Sequence, residues 1–115
     1  LEDAGVIVGY RAVLSRRAVG LGLTAFVGVK VERHHDEEAR AFQAAVAGVG
    51  EVIACHLVSG EHDFLLEVAV ADLEAYERFL LGTLLRLPGV VDVRSSFAIR
   101  TVKPPAPLPL DHLAG

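Results

Sequence analysis

The chain has 115 residues, of which 52% are hydrophobic and 23% are charged, and its formal net charge is −4. This length and composition predict one folded domain, and no apolar run approaches the roughly 20 residues of a membrane span. The negative charge is unlike that of a DNA-binding domain, because DNA phosphates must be neutralised by a basic surface. The single cysteine, Cys55, has no partner for an intramolecular disulfide, which favours a cytoplasmic protein.

The first predicted element is a strand over residues 6–14, which are rich in Val, Ile and Tyr. A polar connection with two glycines follows over residues 15–22. After this connection, a strand–helix–strand pattern occurs twice.

The first copy begins where side chains alternate between two faces along residues 24–32, as in a strand. Asp36 then fits the N-cap of a helix. Apolar residues at helical spacing form one stripe of that helix: Ala39, Phe42, Ala45 and Val46. The second strand of this copy runs over residues 52–58.

The second copy repeats the order. Its first strand covers residues 64–70, and Asp72 caps the following helix. The apolar stripe predicted for this helix consists of Leu73, Tyr76, Leu80 and Leu84. The last strand is predicted over residues 90–101, and four prolines make the tail beyond it extended.

Two copies joined head to tail predict an α+β, ferredoxin-like βαββαβ fold, with an antiparallel four-stranded sheet and both helices on one face. The opposite face is too apolar to be left in water, since it carries Phe26, Gly28, Leu65 and Ala69. We therefore predict that this face is a dimer interface, which makes the assembly a dimeric α/β sandwich.

The short segment between the two copies, residues 59–63, is the strongest candidate site, and we call it the hinge. A ligand with an ammonium and a carboxylate needs an acceptor for the first and backbone N–H groups for the second. Asp63 supplies an acceptor, and Gly60 lets the main chain approach closely. A plain hairpin turn uses the same residue types, so spacing alone leaves that interpretation open.

Metal binding and catalysis receive little support. His56 lies shortly before the hinge and His62 lies within it, but Cys55 and His56 are neighbours on a strand and project to opposite faces. No tetrahedral ligand set and no nucleophile–base pair stand out. We therefore predict no metal, no cofactor and no catalytic residue.

Several segments, in this order and spacing, are similar to one family of prokaryotic regulators. They are LEDAGVIVGY at 1–10, LGLTAFV at 21–27, HLVSGEHDFLL at 56–66, LPGV at 87–90, SSF at 95–97, RTVK at 100–103 and LPL at 108–110. Together they resemble the Lrp/AsnC (feast/famine) transcriptional regulators, and in particular their C-terminal ligand-binding or RAM domain. The first segment resembles the stretch that leads out of the winged helix-turn-helix domain.

The resemblance implies a function. Members of this family bind amino acids or related small metabolites between dimers, assemble as dimers, tetramers or octamers, and regulate genes through an N-terminal DNA-binding domain. By this resemblance the effector-binding residues are Gly60, Glu61, His62 and Asp63 in the hinge, with Ser95 and Ser96 lining the same pocket from the last strand. Position 62 is usually aromatic in the family, so His62 is a departure that could alter effector choice.

The resemblance also implies a domain organisation. Residues 1–22 are then a linker strand that follows a missing N-terminal helix-turn-helix domain, residues 23–103 are the effector-sensing and oligomerisation domain, and residues 104–115 are a Pro-rich tail. DNA would be contacted only through the missing domain. Two alternatives stay open: a small dimeric ferredoxin-like enzyme of the monooxygenase or isomerase type, and an assembly module without a ligand.

Overall fold

A computed structural model describes residues 14–32 and 36–113 of the chain. Its regular elements are β1 (Leu23–Val31), α1 (Asp36–Val46), β2 (Val52–Leu57), β3 (Phe64–Val70), α2 (Leu73–Gly82) and β4 (Val90–Phe97), with short 3-10 helices at Leu84–Arg86 and Asp111–Leu113. This order confirms the predicted βαββαβ fold. The strand predicted over residues 6–14 lies outside the described residues, apart from its last position.

The four strands form one antiparallel sheet in the order β2-β3-β1-β4. The two inner strands, β1 and β3, come one from each copy of the repeated pattern. In the centre of the sheet, Val27 of β1 lies opposite Leu66 of β3 on one side and Ser95 of β4 on the other. Because opposed residues of antiparallel strands project to the same face, this register assigns every strand residue to a face.

The core lies between the sheet and the two helices. Alternate residues of β1 face the helices and are at most 2% exposed: Ala25, Val27, Val29 and Val31. They pack with Phe42 from α1 and Phe79 from α2 in one cluster. The ring centroids of Phe42 and Phe64 are 4.7 Å apart. Both helices therefore cover the same face, and we call the opposite one the open face.

The second helix differs from its prediction in which side chains it buries. The Asp72 cap is confirmed, since its side chain accepts a 2.8 Å hydrogen bond from the backbone N–H of Ala75. Leu73, however, is 63% exposed, while Tyr76 and Phe79 are buried. The predicted stripe was wrong at Leu73 because a small rotation of the helix buries the larger Phe79 ring instead, which removes more apolar area from water.

Two further elements, β4 and α2, end earlier than the sequence pattern predicts. The last strand ends at Phe97, so residues 98–101 are outside the sheet ladder that the sequence pattern predicted. Leu84 is fully buried, but it belongs to the 3-10 helix Leu84–Arg86 that follows α2. Among the described residues, no helix has both the length and the apolar character that crossing a membrane requires.

Replacing Phe42 by Ala tests the core. The side chain is fully buried against Phe64, so we expect the free energy of unfolding to fall by about 3–5 kcal/mol through lost burial and the cavity left behind. Urea denaturation at one fixed protein concentration measures the change. Leu81→Ala on α2 is the control, because Leu81 is 56% exposed and its loss should cost about 0.5 kcal/mol or less. Equal losses for the two variants would contradict the assigned core.

Candidate ligand site at the hinge

The hinge (residues 59–63) closes the β2–β3 hairpin and leaves its main chain open at Gly60. The N–H of Val58 donates to the carbonyl oxygen of Asp63 over 2.9 Å, which closes the turn. Gly60 has φ +120°, a conformation that favours glycine, and nothing lies within 4 Å of the position a Cβ would take. Gly60 and Glu61 are both exposed. A small ligand can therefore approach the backbone here directly.

Asp63 is the best-anchored residue of the hinge. Its side chain is buried, with 4% of the residue exposed, and Oδ2 accepts a 2.8 Å hydrogen bond from the backbone N–H of Val31. Its own N–H donates to the carbonyl oxygen of Val29 over 3.0 Å. Asp63 thus ties the hinge to the end of β1, which gives the carboxylate a structural role. Its predicted role as a ligand for an ammonium group stays a prediction.

His62 extends from the hinge across the open face. Its ring packs over Gly28 of β1, where an added Cβ would lie 3.1 Å from Cγ of the imidazole. Nε2 of His62 lies 3.0 Å from Oδ2 of Asp92 on β4. The hinge is therefore in contact with both β1 and β4. Sequence reasoning did not include Asp92 in the site, although a glycine in a strand interior, such as Gly28, does signal close approach of another group.

The structure separates the two serines of the candidate site. Ser96 lies opposite Phe26 and so shares the open face with the hinge, whereas Ser95 lies opposite Val27 on the helix face. The Ser95 hydroxyl is hydrogen-bonded to the hydroxyl of Tyr76 on α2. Adjacent strand residues project to opposite faces, so these two serines do not line one pocket within a protomer.

Two groups on the helix face have raised pKa values. Burial raises the pKa of the Tyr76 hydroxyl, and the hydrogen bond with Ser95 opposes this effect to a smaller extent. Burial also raises the pKa of the Cys55 thiol, which keeps it protonated and a poor nucleophile at neutral pH. Neither group therefore behaves as an activated acid, base or nucleophile.

The four residues predicted for the dimer interface all lie on the open face, but they are not equally available. Phe26 is 40% exposed and Leu65 is 38% exposed. Gly28 is covered by the His62 ring, and Ala69 is only 4% exposed. Phe26 and Leu65 therefore supply most of the apolar area that these positions offer to a second copy.

Two recesses of the described part lie away from the hinge. One, of about 910 Å³, lies by Phe26 between residues 14–24 and 98–105, where Arg16 pairs with Glu67 over 2.7 Å. Another, of about 330 Å³, lies between α1 and β2. Neither His56 nor His62 lines either of these two recesses.

The family was identified by comparison with known proteins. A model of the Lrp/AsnC ligand-binding domain matches residues 24–108. The chain belongs to the Lrp/AsnC family. This match covers both copies of the repeated pattern, the hinge between them and the start of the Pro-rich tail, up to residue 108.

Individual Lrp/AsnC relatives agree with this assignment. The DNA-binding transcriptional activator DecR of Escherichia coli is 39% identical over 111 residues, which are 96% of this chain and 73% of DecR. The leucine-responsive regulatory protein of Haemophilus influenzae is 42% identical over 103 residues, which are 90% of this chain and 62% of that regulator. The chain thus spans about two thirds of the length of these relatives.

A solved structure of a transcriptional regulator has the same fold. The transcriptional regulator NMB0573 of Neisseria meningitidis, crystallised in complex with L-Met, is 41% identical and superposes with a TM-score of 0.91. The match covers 97% of this chain and 72% of NMB0573. The fold of the described residues is therefore that of the family's ligand-binding domain.

Replacing Asp63 by Ala tests its anchoring role. Because the buried N–H of Val31 would lose its acceptor, we expect the free energy of unfolding to fall by about 1–3 kcal/mol and the Val31 amide to exchange faster. Urea denaturation and amide hydrogen exchange measure the two effects. Glu61→Ala is the control, since Glu61 is the exposed acid of the same hinge and its loss should cost about 0.5 kcal/mol or less. A stability loss shared equally by both variants would speak against the anchor.

Proposed function

We propose that this chain is the effector-sensing and oligomerisation part of a transcriptional regulator. It binds an amino acid or a related small metabolite at the hinge, at the interface between dimers, and so modulates DNA binding by the full-length protein, which acts in the cytoplasm. The observation that supports this most directly is the exposed main chain at Gly60, in a chain that resembles a regulator crystallised with L-Met.

The chemistry of the hinge suits a free amino acid. Backbone N–H groups around Gly60 are accessible to a ligand carboxylate, and the exposed Glu61 carries a negative charge for an ammonium group. Asp63 is the second acidic residue of the hinge, and its buried carboxylate also accepts the hydrogen bond from the N–H of Val31. Ser96 is on the same sheet face and offers a hydroxyl that both donates and accepts. These groups, rather than an apolar cavity, are what would select a zwitterion.

The open face and the position of the hinge both support assembly with further copies of the chain. A second copy on this face would cover Phe26 and Leu65, which are substantially exposed in the single chain. The hinge lies at an end of the β2–β3 hairpin, where a neighbouring dimer can complete the site. An effector that binds one assembly better than another then shifts the population of oligomers, and with it the affinity for DNA.

The enzyme alternative is less well supported. The residues that face the helices are almost all apolar, and the hydroxyl of Tyr76 and the thiol of Cys55 both have raised pKa values. The relatives are named as transcriptional regulators. An assembly module without a ligand would have the same fold and the same open face. Only a binding experiment therefore separates this alternative from the proposal.

Calorimetric titration with a panel of L-amino acids, each paired with its decarboxylated amine and its deaminated acid, tests the proposal. We expect at least one L-amino acid to bind, and both truncated analogues to bind more weakly by at least tenfold, because each lacks one of the two charges that the hinge recognises. Light scattering under the same conditions reports the oligomer. If nothing in the panel binds or changes the oligomer, this chain is an assembly module.

Gly60→Ala tests the place of binding. An L-residue is strained at φ +120°, so the hinge backbone must move, and we expect the affinity for the bound amino acid to fall by about tenfold. Gly20→Ala is the matched control, since Gly20 also has a positive φ (+81°) and no neighbour near its Cβ position but lies outside the hinge. An affinity unchanged in Gly60→Ala would place the ligand elsewhere.

A further inference from the structure

The side chain of His62 crosses from the hinge to β4, on the far side of β1. Its ring rests on Gly28, and Nε2 reaches Oδ2 of Asp92 over 3.0 Å. The side chain of His62 is only 16% exposed, whereas that of Asp92 is 52% exposed. The hinge joins β2 and β3, and Asp92 is on β4 at the far edge of the sheet. The pair therefore holds the hinge against the open face.

Charged groups surround this pair on every element that faces it. On β1 and β4, Lys30 lies opposite Asp92, and Arg94 lies opposite Gly28, so both cations share the open face with the imidazole. Glu61 precedes His62 in the hinge. On the same face, His56 of β2 lies opposite Leu65, and Glu67 of β3 lies opposite Phe26.

The strength of the His62–Asp92 bond depends on the charge of the ring. A neutral imidazole donates a hydrogen bond to the carboxylate, whereas an imidazolium adds to that bond the attraction between opposite charges. Histidine is the side chain that ordinarily changes charge between about pH 5 and 8. A change in the charge of the His62 ring therefore changes the strength of the contact between the hinge and β4.

We propose that His62 is a positioning residue, which latches the hinge through Asp92 and makes the effector affinity of this chain depend on pH. The consequence for affinity rests on the proposed function, but the latch itself does not. A latched hinge is already ordered, so a ligand that binds to it loses less conformational freedom than one that must order the loop. Affinity is thus highest where the ring is charged and declines as the pH rises.

The latch is tested first without a ligand. Amide hydrogen exchange of residues 60–63, corrected for the intrinsic effect of pH, is measured at pH 6 and pH 8 for the full chain. We expect the protection of these amides to be about threefold to tenfold higher at pH 6, and Asp92→Asn to remove the difference. His56→Gln is the matched control, because it deletes a histidine of the same face that does not contact Asp92, and it should retain the difference.

The effector part is tested by calorimetry at the same two pH values, with the tightest-binding amino acid of the panel. We expect wild-type affinity to be about threefold to tenfold higher at pH 6, and His62→Phe, which keeps a ring over Gly28 but has no titrating nitrogen, to bind equally at both. Equal affinities in the wild type, or an unchanged difference in both Asp92→Asn and His62→Phe, would overturn the proposal. If no amino acid binds at either pH, the proposed function fails, and the exchange experiment alone decides whether the latch exists.

Discussion

The side chains of β1 alternate between the two faces of the sheet, and the rest of the structure depends on this constraint. Because β1 is paired on both sides, each of its residues has a fixed face, and a slip of one position would exchange all of them. One set, from Ala25 to Val31, receives both helices and forms the centre of the core. The other set includes Phe26 and Gly28, so the same strand also determines which residues the open face presents.

Contacts with β1 fix the position of the hinge. Two main-chain groups near the end of β1 hold Asp63, through its carboxylate and its N–H, so the loop cannot pivot freely about the hairpin. The absence of a side chain at Gly28 then gives His62 the space to lie flat and reach Asp92. A segment that looks like a plain turn in isolation is thereby fixed to the sheet at two points, the main chain of β1 and the Asp92 side chain of β4.

Local patterns in the sequence were enough to predict the helices and strands, but not the contacts between them. The bounds of β3 and the Asp72 cap could be predicted, because alternation and capping act over a few residues. The choice of Phe79 over Leu73 depended on the rotation of a whole helix against the core. Asp92 lies 30 residues from His62, and only the strand order brings the two together, which no local pattern records.

The contact at Gly28 also links the two proposed activities of the domain. Gly28 belongs to the open face that a second copy would cover, and it is the floor on which the His62 ring rests. Any movement of the hinge that lifts this ring changes the shape of that face, and any partner packed there restricts the ring in turn. Since such coupling is reciprocal, an effector that favours one position of the hinge must favour one mode of assembly, and that assembly must bind the effector more tightly by the same factor.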